Sequence, residues 1–199
     1  MSARGNAMRT VSIITGSVEK ITELKRFFEG VPDISFVQKG IDLVEIQELD
    51  TNRIMEHKLR EAARQVRGEF LVDDTSLFLN ALNGFPGPLI KWFKKAIKEE
   101  GAWELVKKYP DHRAFVRCTI GYGNTLTEPA TFHIFEADVH GVIVEPKCKG
   151  YGFDTIFIPD GETKRYSEMT MDEKNACGHR GKAAAKVKAF LEKATYHKA

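Results

Sequence analysis

The chain has 199 residues, of which 42% are hydrophobic, and its 30 Lys and Arg residues nearly balance 28 Asp and Glu residues. This composition is ordinary for a soluble globular protein and disfavours nucleic-acid binding, which needs a basic excess on one face. Cys118, Cys148 and Cys177 are too far apart for a Cys-x-x-Cys metal site, and no window has the roughly 18 apolar residues of a membrane span, so we expect a cytoplasmic protein without nucleic-acid or membrane partners.

The first half of the chain alternates short apolar strands with amphipathic helices. Strands are predicted at 11–15, 34–37 and 69–76. Helices are predicted from the first strand to Gly30, over 51–66, from Leu89, and over 102–108. The third strand, "EFLVDDTS", is predicted to end at its two aspartates.

The second half begins as sheet and ends as helix. Strands are predicted in "AFVRCTIGYG", "ATFHIFEADVHGVIVE" and "DTIFIPD". The C-terminal "TMDEKNACGHRGKAAAKVKAFLEKA" predicts one long helix that starts with a capping box of Thr170 and Glu173. Gly178 and Gly181 interrupt it at roughly 1 kcal/mol each relative to alanine, which indicates close approach of a ligand or another backbone.

This order of elements predicts an α/β fold with a mixed central β-sheet flanked by helices. We expect one domain over residues 1–199, with residues 1–9 as a flexible extension. We expect two lobes, with the binding site in the cleft between them.

Two adjacent aspartates, Asp73 and Asp74, are the first candidates for chemistry. A single carboxylate after a strand more often caps a turn or is solvated, but two in a row weaken that interpretation. Strand side chains alternate between faces, so one aspartate can face the cleft while the other anchors the loop. Carboxylates together with substrate phosphates are typical ligands of Mg²⁺.

Two stretches indicate anion binding. "TGSVEK", residues 15–20, lies at a strand-to-helix junction, where backbone N–H groups can hold a phosphate and Lys20 can neutralise it. It is not a Walker A loop, and many such junctions are only connections. Lys91 lies in the first turn of a helix, where the dipole disfavours a cation, so it either serves an anion or is solvated.

Two more stretches suit a purine base. In "KGYGFDTIF", Tyr151 and Phe153 either pack in the core or offer rings on which a base stacks. In "EKNACGHR", His179 and Arg180 either solvate a helix or supply paired donors to an oxo group.

The chain resembles the inosine triphosphate pyrophosphatase family, also called the Ham1-type non-canonical purine NTP pyrophosphatases. The similarity covers nearly the whole chain, through "IITGSVEK", "IDLVEIQE", "FLVDDTSLFLNALNGFPGPLIKWF", "GYGFDTIFIPDG" and "SEMTMDEKNACGHR". It implies a homodimeric, Mg²⁺-dependent hydrolase that converts a purine nucleoside triphosphate (ITP, dITP or XTP) to the monophosphate and pyrophosphate.

The resemblance also implies roles for individual residues. Glu45 and Asp74 would hold Mg²⁺, and one of Asp73 or Asp74 would orient or deprotonate the attacking water. The implied substrate-binding residues are Thr15, Gly16, Ser17, Lys20, Lys58 and Lys91 at the triphosphate, and Tyr151, Gly152, Phe153, Asp154, Lys174, His179 and Arg180 around the base. Donors at the base end suit a 6-oxo purine, because adenine would leave them unpaired.

Four positions depart from the family's motifs. Ser17 stands for asparagine, Asp73 for glutamate, Thr155 for proline and Gly178 for serine. None of these departures removes a proposed metal ligand, because Glu45 and Asp74 are both present. Two alternatives stay open: a nucleotide sensor of the same fold that has lost catalysis, and a Maf-like pyrophosphatase with another base specificity.

Overall fold

The structure is a computed structural model that describes residues 8–147, 150 and 152–196. Its strands are β1 (Arg9–Ile14), β2 (Ile34–Lys39), β3 (Glu69–Leu79), β4 (Pro86–Gly87), β5 (Arg113–Asn124), β6 (Thr131–Ile143) and β7 (Phe157–Pro159). Its α-helices are α1 (Val18–Phe28), α2 (Thr51–Gln65), α3 (Ile90–Val106), α4 (Met171–Cys177) and α5 (His179–Tyr196). Short 3₁₀ helices lie at Asn80–Leu82, Gly152–Thr155 and Tyr166–Glu168.

One mixed sheet with the strand order β2-β1-β3-β5-β6-β7 runs through the protein, and β4 pairs with β3. Helices cover both faces of this sheet because each buries an apolar stripe. On one face, Leu24 of α1 and Val187 of α5 share a core cluster with Leu71 of β3. On the other face, Met55 of α2 packs in a cluster with Phe70. The predicted helix-flanked mixed sheet is confirmed.

A separate apolar cluster forms a second lobe around α3. Ala102 and Val106 of α3 share it with Leu77 of β3, Val116 of β5 and Ile143 of β6. The same three strands therefore extend from one lobe into the other, and the predicted two-lobed arrangement is confirmed.

β3 is longer than its sequence predicts. It continues to Leu79 because β5 pairs with it along its whole length. On the opposite edge, β1 pairs with it only as far as Val72, and β4 pairs with it only at Leu77 and the residue that follows. The prediction that the strand ends at the aspartates is wrong: Asp73 and Asp74 lie in mid-strand, in the gap between β1 and β4.

The C-terminal segment forms two helices where one was predicted. α4 starts at the predicted capping box: the Glu173 N–H donates to the Thr170 hydroxyl at 3.2 Å, and the Thr170 N–H donates to the Glu173 carboxylate at 2.7 Å. α4 then ends at Gly178, whose backbone is extended, and α5 starts at the next residue.

The two glycines at this junction allow α4 and α5 to meet closely. A Cβ atom on Gly178 would overlap the carbonyl oxygen of Lys174, and one on Gly181 would overlap that of Asn175. The predicted close approach is confirmed: Gly181 of α5 meets the backbone of α4, and Gly178 meets a carbonyl of α4, the helix that it ends. The junction brings side chains from both helices to one place.

Two further boundaries differ from the predictions. Arg9, assigned to the flexible extension, is the first residue of β1. The two helical segments predicted after Leu89 form the single helix α3, broken at Lys98, which has φ 56° and ψ −171°. No helix in the described part of the chain is long and apolar enough to cross a membrane.

Candidate active site

A cleft of about 690 Å³ opens between the two lobes. Its walls are the loop after β1 with α1, the segment 41–48, the middle of β3, the start of α3, the turn 152–154 and the junction of α4 with α5. Every predicted site residue that the structure describes lines this cleft. Tyr151 lies outside the described residues.

Lys58 of α2 connects two of the predicted metal ligands. Its ammonium, 5% exposed, donates to the carboxylates of Glu45 at 3.0 Å and Asp74 at 3.4 Å. Burial opposes the charge, but these carboxylates together raise the pKa of Lys58 above its usual value. The pKa of Glu45 is likewise lowered against its burial, by Lys58 and by Lys91, whose ammonium lies 3.4 Å away.

Asp73 faces the opposite side of the sheet, as strand alternation predicts. One of its oxygens contacts Lys20 at 3.2 Å and Arg180 at 3.3 Å. Burial opposes ionisation, yet Lys20, Arg180 and Lys58 hold the pKa of Asp73 below its usual value. Within the described residues its other oxygen, Oδ1, has no hydrogen-bond partner although it is buried.

The loop between β1 and α1 is built around the helix start. The Ser17 N–H donates to the Thr15 hydroxyl at 3.1 Å, and the Lys20 N–H donates to the Ser17 hydroxyl at 3.2 Å, so Ser17 is the N-cap of α1. A Cβ atom on Gly16 would meet nothing within 4 Å. The loop therefore presents open space at the positive end of the helix dipole, where anions are favoured.

Lys174 of α4 bridges two buried carboxylates at the other end of the cleft. Its ammonium donates to Glu23 of α1 at 2.6 Å and to Asp154 at 2.5 Å. Burial raises the pKa of Asp154, whereas the charges of Arg180 and Lys174 overcome burial and lower the pKa of Glu23.

Arg180 of α5 donates mainly to the protein itself. Its guanidinium bonds to Glu23, to Asp73 at 3.3 Å and to Thr75 at 3.0 Å. These contacts fix the side chain between α1 and β3. The main role of Arg180 is therefore to hold the carboxylates of Glu23 and Asp73 in place. The sequence did not indicate this role.

His179 and Phe153 give the same end of the cleft an aromatic character. Their ring centroids are 5.9 Å apart. His179 is 2% exposed, and neither of its ring nitrogens has a hydrogen-bond partner in the part of the chain that is described. Burial, followed by the nearby cations, holds the pKa of His179 well below its usual value. A neutral imidazole offers one N–H donor and one acceptor.

Sequence reasoning missed several residues that line the cleft, among them the polar side chains of Glu23, Thr75 and Lys94. A signal for two of them was present. Glu23 lies three residues after Lys20 on α1, and Lys94 lies three residues after Lys91 on α3, a spacing that places helical side chains on one face.

The residues present fit a magnesium ion. The described residues contain no group of three or more His, Cys, Asp or Glu side chains that would form a complete protein cage. Glu45 and Asp74 are two hard oxygen donors held by one lysine. Mg²⁺ is usually bound by one or two carboxylates plus waters and substrate phosphates, so this pair is a suitable donor set.

The chain is similar to known proteins over most of its length. The profile of the Ham1 family matches residues 11–190. The chain is 35% identical to an inosine triphosphate pyrophosphatase of Schizosaccharomyces pombe, covering 93% of this chain and 96% of the relative. It is 40% identical to that of Pyricularia oryzae, covering 92% and 94%.

A solved structure shows the same fold. A HAM1 protein from Coxiella burnetii superposes with a TM-score of 0.80 at 24% identity, covering 94% of this chain and all of that one. With the profile match over most of the chain, these relatives establish that the chain belongs to the Ham1 family.

Proposed function

We propose that the protein is a nucleoside triphosphate pyrophosphatase that hydrolyses non-canonical 6-oxo purine nucleotides to the monophosphate and pyrophosphate. The main support for the proposal is that the two ends of the cleft carry different kinds of side chain. One end holds lysines with the carboxylates of Glu45 and Asp74, and the other holds an aromatic ring with a buried neutral histidine. This is the layout that a triphosphate joined to a base requires.

The triphosphate binds at the lysine end. Lys20, Lys58 and Lys91 supply positive charge from α1, α2 and α3, and the start of α1 adds backbone donors. Glu45 and Asp74 would hold Mg²⁺, which when bound supplies charge to the phosphate oxygens. Phosphoryl chemistry depends mainly on positioning and charge stabilisation, so cations fixed on three helices are suited to it.

Asp73 orients the attacking water. Asp73 lines the cleft, and its buried Oδ1, which has no hydrogen-bond partner among the described residues, is available to accept a hydrogen bond from a water held there, while its other oxygen is held by Lys20 and Arg180. The lowered pKa of Asp73 keeps it ionised, which suits an acceptor. The oxygen of this water bonds to the α-phosphorus, the bond from the α-phosphorus to the bridging oxygen breaks, pyrophosphate leaves with that oxygen, and the proton of the water is released to solvent.

The base binds beside Phe153 and His179. Stacking on a ring contributes about 1–3 kcal/mol for any base, so it does not select among bases. The His179 N–H donates to the 6-oxo group of hypoxanthine or xanthine. Adenine carries an amino group at this position and would leave the buried donor unpaired, at a cost of about 1–3 kcal/mol.

The test is release of pyrophosphate from ITP, dITP, XTP, GTP, ATP and CTP, with Mg²⁺ and with EDTA. We expect turnover of ITP, dITP and XTP that EDTA abolishes. Turnover of CTP instead would favour the Maf-like alternative. Binding of ITP without turnover of any nucleotide would favour the sensor.

Asp74→Asn tests the metal-binding assignment. We expect kcat with ITP to fall about 100-fold, the usual loss for an electrostatic group at a reacting centre. Asp172→Asn is the matched control, because its side chain is 72% exposed. An Asp74→Asn protein that folds normally and keeps full Mg²⁺-dependent turnover would contradict the assignment.

A homodimer and a cytoplasmic location also belong to the proposal. The family resemblance supports the dimer, and the three unclustered cysteines support a reducing compartment. Light scattering at micromolar concentration tests the first, and cell fractionation tests the second.

A further inference from the structure

Tyr166 packs against two of the side chains at the base end of the cleft. It begins the 3₁₀ turn Tyr166–Glu168 and is 2% exposed. Its ring centroid lies 5.7 Å from that of His179, and the ammonium nitrogen of Lys174 lies 5.6 Å from the same centroid. In the described part of the chain Tyr166 is not among the residues that line the cleft. It therefore acts on a bound base only through these neighbours.

Tyr166 and His179 bring three buried polar atoms together. Among the described residues, the Tyr166 hydroxyl has no hydrogen-bond partner, and neither ring nitrogen of His179 has one. Buried polar groups without partners are costly. Such groups are commonly joined by a buried water, which can bond to two to four of them. A water between the hydroxyl and the ring would give both side chains a partner.

The surroundings of the hydroxyl decide the direction of these bonds. Burial raises the pKa of Tyr166, so the hydroxyl keeps its proton, and the backbone N–H of His179 faces its oxygen. The hydroxyl therefore lies at the start of α5, near Nδ1, which is the ring nitrogen of His179 closer to its own backbone. Because the oxygen faces a donor, the single proton of the hydroxyl is left to point towards the ring.

We propose that Tyr166 is a positioning residue that holds His179 in the tautomer with the proton on Nε2; this inference rests on the proposed function. The Tyr166 hydroxyl donates to a buried water, and that water donates to Nδ1 of His179. The tautomer of a neutral imidazole is set by the bond that its other nitrogen makes. With Nδ1 as an acceptor, Nε2 carries the proton and donates to the 6-oxo group.

The tautomer matters because a neutral histidine does not by itself select one base. With the proton on Nε2, this nitrogen is a donor and suits the oxo group of hypoxanthine or xanthine. With the proton on Nδ1, Nε2 becomes an acceptor and suits the amino group of adenine. Fixing the proton on Nε2 therefore makes His179 select oxo purines over amino purines.

The kinetic test compares two Tyr→Phe variants with the wild type. Tyr166→Phe keeps the ring against His179 and Lys174 and removes only the hydroxyl. Tyr122→Phe is the matched control, because Tyr122 is 4% exposed in another part of the core and its hydroxyl donates to Glu69 at 2.8 Å. We expect Tyr166→Phe to lower the ITP-to-ATP ratio of kcat/KM about tenfold, as expected when a buried donor no longer faces the oxo group in every molecule. Tyr122→Phe should leave this ratio unchanged.

The ¹⁵N NMR spectrum of the histidine rings reports the tautomer without turnover. Protonated and unprotonated ring nitrogens have well-separated ¹⁵N shifts, and the signals that disappear in His179→Phe identify those of His179. We expect a protonated Nε2 and an unprotonated Nδ1 in the wild type and in Tyr122→Phe. In Tyr166→Phe we expect the two nitrogens to share the proton. A loss of packing alone would not produce this change.

Three outcomes would overturn the inference. A wild-type His179 with its proton on Nδ1 would exclude the proposed direction of the bonds. A His179 spectrum that Tyr166→Phe leaves unchanged would exclude control of the tautomer, and equal losses with ITP and ATP would then make Tyr166 a packing residue. A changed spectrum with an ITP-to-ATP ratio within about twofold of wild type would exclude a part in base selection.

The two measurements separate this inference from the proposed function. If the wild type hydrolyses ITP but the spectrum does not respond to Tyr166→Phe, only the inference fails. If the wild type hydrolyses no nucleotide, the proposed function fails, and with it the selection of substrates by His179. The spectra of the unliganded proteins still decide whether Tyr166 holds the tautomer.

Discussion

Replacing Glu23 with glutamine tests the charge network that holds the base end of the cleft together. Glu23 is 4% exposed, and each of its carboxylate oxygens accepts from a different cation, one from Lys174 and one from Arg180. Glutamine keeps the shape but turns one oxygen into an NH₂ group. One of the two cations would then face a donor, and the buried network would gain a net positive charge.

The expected loss of folding free energy in Glu23→Gln depends on the ion pairs that Lys174 and Arg180 keep. Breaking a buried ion pair by removing one partner usually costs about 3–5 kcal/mol. Lys174 keeps Asp154, and Arg180 keeps Asp73, so the expected loss lies at the lower end, about 3 kcal/mol. For a chain of this length, such a loss corresponds to a fall in Tm of about 10 °C.

Urea unfolding at pH 7 measures the loss directly, with Glu29→Gln, at the C-cap of α1, as the control. Glu29 is 67% exposed and pairs with a surface arginine, so we expect no measurable change there. The free energy of unfolding measured at acid pH gives a second test. Because folding lowers the pKa of Glu23, its contribution is present above about pH 4.5, the unfolded value, and is lost as the pH falls through the folded value.

Glu23→Gln should therefore flatten the acid branch of the stability curve. Loss of less than 0.5 kcal/mol at pH 7, within the usual range for surface substitutions, would refute this account of the network.

Three more predictions follow from other parts of the molecule. Gly181→Ala should lower the free energy of unfolding by about 2 kcal/mol through overlap with the backbone of α4, whereas Gly40→Ala, with nothing within 4 Å, should not; urea unfolding measures both. Lys98→Gly should raise stability by about 1 kcal/mol, because only glycine adopts φ 56° with ψ −171° without strain; an unchanged Tm would contradict this. Below pH 6.5 the unfolded state binds a proton at His179 that the buried ring does not, so the wild type loses up to about 1.4 kcal/mol of stability per pH unit there. His179→Phe should remove this part of the loss. Equal pH slopes of stability in the variant and the wild type would exclude the buried neutral ring.

The elements that local patterns define were predictable from the sequence. The apolar spacing of α1 and α2 and the capping box of α4 are set within a few residues of chain, and the structure has them all. The residues of the cleft were predicted through the family motifs, and the described ones do line one cavity.

The sequence predictions that were wrong concern features set by contacts between segments that are far apart in the chain. β3 continues past its two aspartates because β5, some forty residues later, supplies the pairing. The local sequence is typical of a solvated helix residue at Glu23. The side chain is buried in ion pairs with Lys174 and Arg180, which lie more than 150 residues later in the chain. Gly181 lies inside α5 because the backbone of α4 at Asn175 leaves no room for a Cβ atom, a contact that helix propensity does not describe.

The position of the two aspartates in mid-strand explains why adjacent like charges are tolerated there. Alternation sends Asp73 towards Lys20 and Arg180 on the face of α1 and α5, and sends Asp74 towards Lys58 on the face of α2. Each carboxylate therefore has its own ion-pair partners. The gap between β1 and β4 opens the same point of the strand to the cleft.

This arrangement ties the proposed chemistry to the register of β3. In the proposed mechanism Asp73 orients water, and the next strand position, Asp74, binds the metal. Because the side-chain period of a strand is two, moving β3 by one residue would exchange the faces of both aspartates and of every core residue around them. The long pairing with β5, which fixes the register over eleven residues, thus protects the site as well as the core.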